Sequence, residues 1–301
     1  ALQAGIRARV RLDADAEITL EANPGTFERD RFRAFRSAGV TRLSIGVQSF
    51  SDTHLQALGR VHDRAQAIAA VEEAAASFET FNLDLMYALP GQSLEQCVQD
   101  VSTALSFDPP HLSVYHLTIE PNTLFAKHPP SVPEDDDAYA MLDAISQATQ
   151  ARGMARYEVS AYARAGHRCR HNVNYWQFGD YLGIGAGAHT KLSFAHRVVR
   201  QVRARDPALY MNAAMGGNAV VQHQEVSRAD LPFEFMLNAM RLREGVEAAF
   251  LTERTGLPHS AFQARLAEAE QKGLLARDAG WICPTERGFD FLSDLQAIFL
   301  P

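Results

Sequence analysis

The chain has 301 residues, 47% hydrophobic and 22% charged, which is enough to bury the core of one large domain and one small one. Its formal net charge of −7 argues against nucleic acid or an anionic membrane as the main partner. No run approaches the ~20 apolar residues of a membrane helix, and no secretory leader opens the chain, so we expect a cytoplasmic protein without a transmembrane segment. The three cysteines are far apart in sequence, as is typical of reduced thiols.

Short β-rich runs alternate with helical patterns through the first half of the chain. The predicted strands are 17–21, 42–47, 81–86, 111–115 and 156–160. The predicted helices are 28–38, 51–58, 64–77, a segment that begins at Ser93, and 138–152. This alternation predicts an α/β fold with a parallel sheet and right-handed crossovers.

A polar residue ends each of the first three predicted runs or lies near its end. These residues are Glu21, Gln48 and Asp84. Because the carboxyl ends of parallel strands meet at one edge of a sheet, we expect the three side chains to converge there, where barrel enzymes bind their ligands.

The C-terminal part has a different organisation. Past residue 226 the chain is helical, and a helix at 260–272, strands at 274–277 and 281–283, and a helix from Glu286 follow in order. This order is typical of a winged-helix module, so we predict a domain boundary near Ser227. Its mixed charges favour a structural or partner-docking role over DNA binding.

Five motifs in fixed order resemble one family. They are Glu-Ala-Asn-Pro-Gly-Thr at 21–26, Ser-Ile-Gly-Val-Gln-Ser-Phe at 44–50, Leu-Gly-Arg-Val-His at 58–62, Asn-Leu-Asp-Leu-Met-Tyr-Ala-Leu-Pro at 82–90 and His-Asn-Val-Asn-Tyr-Trp at 171–176. The first four resemble the radical S-adenosylmethionine (SAM) enzymes of the oxygen-independent coproporphyrinogen oxidase group. The fifth resembles the haem-chaperone branch of that group.

The resemblance implies an incomplete radical SAM (β/α) barrel with a small C-terminal winged-helix-like α/β domain. The expected domains are 1–226, with a haem or active-site segment at 157–189, and 227–301. The glycine-dense run 183–189 is expected to lie near the site. Its glycines favour close backbone approach over a phosphate cradle.

The resemblance also implies SAM and a 4Fe–4S cluster as cofactors. By position, Glu21, Gln48, Arg60 and Asp84 are expected to contact SAM. Each residue alone is more typical of a polar strand or helix end that hydrogen-bonds to the backbone, but four in the family's order and spacing favour the SAM site. The family's Cys-x3-Cys-x2-Cys motif is not in these 301 residues. We therefore expect the cluster ligands in a missing N-terminal segment, and radical catalysis by the chain alone stays unassigned.

The motif at 171–176 predicts a haem site. His171 is expected to bind the haem iron, and Tyr175 and Trp176 to form an apolar wall. Two alternatives are a structural histidine among packed aromatics, and a metal clamp in which His167, Cys169 and His171 alternate along an extended segment.

The expected function is therefore a haem chaperone that binds haem and delivers it to acceptor proteins, with a homodimer as one expected assembly. The alternatives are oxidative decarboxylation of a porphyrinogen, as in the oxidase branch, and a binding fragment without catalysis.

Overall fold

The computed structural model describes residues 2–26, 29–278 and 280–301. The chain divides into two compact units, the first formed by residues 1–156 and 160–168 and the second by residues 157–159 and 169–301. Residues 169–226 thus group with the C-terminal elements, whereas the predicted domain 1–226 includes them. The domain limits 1–226 and 227–301 stay a prediction, and the compact units follow a different division.

The first unit is built on one mixed sheet. Its strands are β1 (Thr19–Ala22), β2 (Arg42–Gln48), β3 (Thr80–Tyr87), β4 (His111–His116), β5 (Ala155–Arg156) and β6 (Ala161–Ala163). They lie in the order β1-β2-β3-β4-β6-β5. The first four pair in parallel, whereas β6 is antiparallel to both β4 and β5. The predicted α/β class and open barrel sheet are confirmed, but the prediction of an all-parallel sheet is wrong, because β6 runs opposite to the other strands.

The predicted fifth strand, 156–160, is also wrong. Residues 157–159 belong to the second unit, where the carbonyl of Tyr157 accepts a hydrogen bond from the Arg243 N–H at 3.0 Å. The chain rejoins the sheet at Ser160. Segment 157–159 therefore separates two short strands, and the chain reverses its direction between them. A pattern typical of one parallel strand thus forms an antiparallel pair.

The helices of the first unit largely follow the prediction. They are α1 (Leu2–Arg7), α2 (Arg29–Ser37), α3 (Asp52–Ala57), α4 (Arg64–Ser77), α5 (Leu94–Ser106), α6 (Leu124–Lys127) and α7 (Asp135–Gln150). The predicted start of the second helix at Glu28 lies outside the described residues. Capping boxes open α4 and α5, and the second is formed by Gln96 and Ser93, the residue at which this helix was predicted to begin. Helix α7 begins three residues before its predicted start at 138, because the acidic residues of its first turn favour a helix N-terminus.

The sheet has one apolar and one polar face. The apolar face is buried in the core with residues of α4, α5 and α7; from β2, β3 and β4 it contains Leu43, Ile45, Val47, Phe81, Leu83, Leu85, Leu112 and Val114. Because side chains two residues apart share a face of a strand, the residues between them form the opposite face. That face carries the candidate site.

The second unit contains seven helices and six strands within its described residues. The helices are α8 (Arg170–Trp176), α9 (Pro207–Met215), α10 (Leu231–Ala239), α11 (Ala249–Thr255), α12 (Ser260–Gln271), α13 (Glu286–Asp290) and α14 (Leu292–Ala297). The strands are β7 (His189–Phe194), β8 (Arg197–Arg203), β9 (Val220–Glu225), β10 (Val246–Glu247), β11 (Leu275–Asp278) and β12 (Trp281–Pro284). They form two antiparallel sheets, β7-β8-β9 and β10-β12-β11.

The predicted winged-helix order is confirmed in α12, β11, β12 and α13. Helix α9 and the β7-β8-β9 sheet were not predicted, because their residues have no clean period in the sequence. Edge-to-face contacts join Phe178, Phe235 and Phe262 in the core of this unit, with ring centroids 5.6 and 6.2 Å apart. Within the described residues, no helix has the length and apolar character needed to cross a membrane.

Candidate functional site

Polar residues of neighbouring strands line up on one face of the first unit's sheet. Glu21 of β1 is beside Ser44 of β2, and Ser44 is beside Asn82 of β3. Two residues further along β3, Asp84 is beside Ser113 of β4. The strand register therefore brings Glu21 and Asp84 to the same face, as the sequence predicts.

Asp84 is part of a hydrogen-bond network on this face. Its carboxylate accepts hydrogen bonds from Asn82 Nδ2 at 2.8 Å and from Ser44 Oγ at 3.2 Å. Burial raises the pKa of the Asp84 carboxyl group, hydrogen bonds from Asn82, Ser44 and Ser113 partly offset this rise, and the Glu21 carboxylate adds to it. The site thus holds an acid whose ionised form is costly without a ligand.

Gln48 ends β2 in a left-handed conformation, with φ of 68°. The register between β2 and β3 shifts just before it, which is typical of a β-bulge. A Cβ at Gly46 would lie 3.0 Å from Gln48 Nε2 and 3.3 Å from Asn23 Oδ1. The glycine therefore makes room for both amides over the polar face of the sheet.

A buried carboxylate fixes the turn that follows Gln48. Asp100 of α5 accepts hydrogen bonds from Ser49 Oγ at 2.5 Å and from the Phe50 N–H at 2.8 Å. On the other side of the turn, His62 Nε2 lies 3.1 Å from the carbonyl oxygen of Val47. Sequence reasoning missed these supports; the only signal for Asp100 is an acidic residue among the buried positions of α5.

Arg60 lies in the loop between α3 and α4, and its side chain is exposed. This loop packs on the turn after β1, since a Cβ at Gly25 would come within 2.9 Å of Val61 Cγ2. The structure thus places the three strand-end residues on one sheet and Arg60 in an adjoining loop.

Helix α8 of the second unit carries the aromatic motif. The rings of His171 and Tyr175, one turn apart, meet edge-to-face at 6.1 Å, and Tyr175 meets Tyr181 at 4.7 Å. The Arg241 guanidinium lies 4.2 Å from the centre of the Trp176 ring. The helix thus has an aromatic surface in which His171, Tyr175 and Tyr181 are in ring contact, while Trp176 packs against Arg241.

The buried residues of segment 157–159 support this helix. Glu158 pairs with Arg241 at 3.3 Å, and the Tyr157 hydroxyl accepts a hydrogen bond from the Cys169 N–H at 3.3 Å. The ion pair holds Arg241 over the Trp176 ring and the hydrogen bond holds the residue before α8, so Tyr157 and Glu158 support the helix.

His171 presents the edge of its ring to a thiol. Its Nδ1 and Nε2 lie 3.2 and 3.5 Å from Cys169 Sγ. The extended segment on which the metal-clamp alternative depended is absent, because α8 begins at Arg170. His167 belongs to the first unit, where its Nδ1 lies 3.2 Å from Thr80 Oγ1.

A cavity of about 560 Å³ lies beside α8 in the second unit. Its wall is formed by Tyr175, Trp176, Phe178, Gly179, Tyr181, Leu182, Gly183, Ile184, Ala188, His189, Lys191, Arg200 and Asn238. Two of the three predicted haem residues thus line it, and the histidine in its described wall is His189 instead of His171.

The glycine-dense run forms one edge of this cavity. A Cβ at Gly183 would lie 2.2 Å from the carbonyl oxygen of His189, so no other residue fits there. The predicted close backbone approach is confirmed at this position.

Lys191 is a buried cation in the cavity wall. Its Nζ donates hydrogen bonds to the Phe178 carbonyl at 2.7 Å, to Asp180 Oδ1 at 3.1 Å and to Ser193 Oγ at 2.8 Å. The Nζ also lies 3.8 Å from the centre of the Phe178 ring. Burial lowers the pKa of Lys191 to about 8, although the Asp180 carboxylate opposes the shift.

We expect this shifted pKa to appear in the stability of the protein. Between about pH 8 and 10.5 the unfolded chain binds the Lys191 proton that the folded chain has lost, so the free energy of unfolding should rise with pH in this window. Burial raises the pKa of Tyr87 and of Cys97 to about 12, which gives the opposite slope at high pH. The measurement is therefore the free energy of unfolding by urea for wild type and for Lys191→Met, at pH 7 and at pH 9.5. The rise attributed to Lys191 should be present in wild type and absent from the variant. The same change in unfolding free energy with pH for the two proteins would contradict this assignment to Lys191.

The cysteines present do not fit an iron–sulfur cluster. Cys97 is buried in the core of the first unit, whereas Cys169 and Cys283 belong to the second. Within the second unit, Cys169 contacts His171, and Cys283 Sγ lies 3.7 Å from the Ala276 carbonyl on the neighbouring strand. A 4Fe–4S cluster of this type needs three convergent thiolates, which the described elements do not supply.

Comparison with known proteins places the chain in a family. Residues 2–104 match the Radical SAM superfamily, and residues 226–291 match the HemN C-terminal domain. The chain is 46% identical to the heme chaperone HemW of Escherichia coli (strain K12), over 98% of this chain and 78% of that protein. It is 32% identical to the heme chaperone HemW of Bacillus subtilis (strain 168), over 91% of this chain and 73% of that protein.

A solved structure supports the fold assignment. Coproporphyrinogen III oxidase (HemN) from Escherichia coli superposes with a TM-score of 0.77 at 20% sequence identity, over 99% of this chain and 73% of that one. At this identity the likeness concerns the fold. The identity to the chaperones decides the branch, and the chain belongs to the HemW family of heme chaperones within the radical SAM superfamily.

Proposed function

We propose that this chain binds haem in its second unit and delivers it to acceptor proteins, in line with the names of its relatives. The observation that carries the proposal is the aromatic surface of α8 beside a cavity of about 560 Å³. A pocket of this size, with aromatic rings and a few polar groups in its wall, is typical of sites for cofactors. We also propose that this transfer takes place in the cytoplasm and that the chaperone forms a homodimer.

His171, Tyr175 and Trp176 are the proposed haem contacts. Tyr175 and Trp176 line the cavity and offer flat apolar area to a porphyrin. His171 lies one helical turn before Tyr175 and offers an imidazole to the iron. The Cys169 thiol lies 3.2 and 3.5 Å from the two ring nitrogens of His171, so it is a second potential iron ligand beside the imidazole.

SAM is the proposed ligand of the first unit. Glu21 and Asp84 can accept hydrogen bonds from its ammonium group or ribose hydroxyls, Gln48 can both donate and accept, and Arg60 can bind its carboxylate. The donor set fits such a ligand, and the unfavourable burial of the Asp84 carboxylate supports a partner with hydrogen-bond donors. The 4Fe–4S ligands are proposed to lie in a segment outside these 301 residues.

Titration with haemin tests the haem proposal. We expect a saturable shift of the Soret band at one haem per chain, because an imidazole and an aromatic wall replace water around the macrocycle. The fluorescence of Trp176 should be quenched over the same range, measured in a Trp281→Phe background that removes the other tryptophan. A Soret shift that never saturates, or titration without quenching of Trp176, would place haem elsewhere or exclude it.

A further inference from the structure

Two cations lie side by side on neighbouring strands in the wall of the cavity. In the antiparallel pair of β7 and β8, Lys191 is directly opposite Arg200, and both side chains line the cavity. Like charges in directly opposed positions destabilise a sheet. A pair that costs stability at this place points to a role in binding.

Each cation has one carboxylate partner in the described part of the chain. Lys191 pairs with Asp180 at 3.1 Å, and Arg200 pairs with Glu234 through one terminal nitrogen. The Lys191 side chain is 2% exposed and its three N–H donors are in use, whereas the Arg200 side chain is 38% exposed. Arg200 is therefore the cation that a ligand can reach.

Donors without acceptors accompany this pair. Arg200 Nε and Trp176 Nε1 are both buried and, within the described residues, have no hydrogen-bond partner. An unsatisfied buried donor is unfavourable, and both belong to residues of the cavity wall. The wall thus combines unsatisfied N–H donors with a partly exposed guanidinium, which matches an anionic acceptor.

We propose that Arg200, supported by Lys191, forms a carboxylate-binding subsite in this cavity, and that it anchors an acidic side chain of a tetrapyrrole whose ring lies against the aromatic wall. This inference rests on the proposed haem function and adds to it the group that the cavity recognises. Lys191 acts through its charge and through the carbonyl and side chains that it holds, while Arg200 contacts the carboxylate.

The test compares haem with haem dimethyl ester, which keeps the macrocycle and iron but has no free carboxylate. We expect wild type to bind haem about 10-fold or more tightly than the ester, the factor of one charge-assisted hydrogen bond. Arg200→Met keeps the apolar stem and should remove most of this preference by weakening haem binding, with ester affinity unchanged. Arg197→Met is the matched control, because Arg197 lies on the same strand, outside the cavity wall, over the ring of Phe194.

Equal affinity of wild type for haem and its ester would overturn the subsite while leaving haem binding intact. An equal loss for both ligands in Arg200→Met would also overturn it, because Arg200 would then act only by packing. The same loss of preference in Arg197→Met would overturn the subsite too, because the preference for haem would then come from the overall positive charge of the strand. Failure of wild type to bind either ligand would overturn both the subsite and the proposed haem function.

Discussion

Replacement of His171 with alanine should change the spectrum of the haem complex far more than it changes the stability of the protein. The substitution removes a nitrogen ligand to iron but little buried apolar area, since the side chain is half-buried on α8. We expect haem affinity to fall at least about 10-fold, or roughly 1.4 kcal/mol, with loss of the imidazole-ligated spectrum. Absorbance titration and thermal unfolding measure the two effects.

Three variants control this experiment. His189→Ala tests the histidine that lines the cavity, and His167→Ala tests a histidine of the first unit. Cys169→Ser in the His171→Ala background removes the adjacent thiol as a substitute ligand. If His171→Ala matches wild type and His189→Ala or His167→Ala abolishes the spectral shift, the assignment of the ligand to His171 is wrong.

Replacement of Asp84 with asparagine should weaken SAM binding by about 10- to 100-fold, the range for loss of a charged hydrogen-bond acceptor. The variant keeps the shape of the side chain and an oxygen that can accept from Asn82 Nδ2. Because burial raises the Asp84 pKa, wild-type affinity should fall as pH is lowered through that value, while the variant should show no such dependence. Isothermal titration of SAM with wild type and variant, at a series of pH values from 4.5 to 8, measures both effects.

Measuring the stability of Asp84→Asn shows whether a weaker SAM affinity comes from the lost carboxylate or from a damaged fold. A raised pKa means that the ionised form is disfavoured in the folded state, so wild type should lose stability as pH rises through it. Asp84→Asn should not lose stability there. Asp143→Asn, an acid on the exposed side of α7, is the control and should leave SAM affinity unchanged. A wild-type affinity retained by Asp84→Asn would remove Asp84 from the site.

The local elements of the first unit could be predicted because their signals are local. Alternating apolar residues define β2 and β3, and side-chain caps define the starts of α4 and α5. The convergence of Glu21 and Asp84 could be predicted too, because parallel pairing fixes which residues share a face. The β5 and β6 pair could not, because its geometry depends on contacts of residues 157–159 with a distant part of the chain.

The sequence by itself determined the α/β class, the strand-end polar residues and the aromatic motif of α8, since these depend on residue type and short spacing. Only the tertiary structure decided which side chains support them. Asp100 fixes the Gln48 turn from 50 residues away, and Lys191 meets Arg200 through the register of β7 and β8. The cavity wall combines segments between Tyr175 and Asn238. Such contacts depend on packing between distant segments, for which one sequence carries no periodic signal.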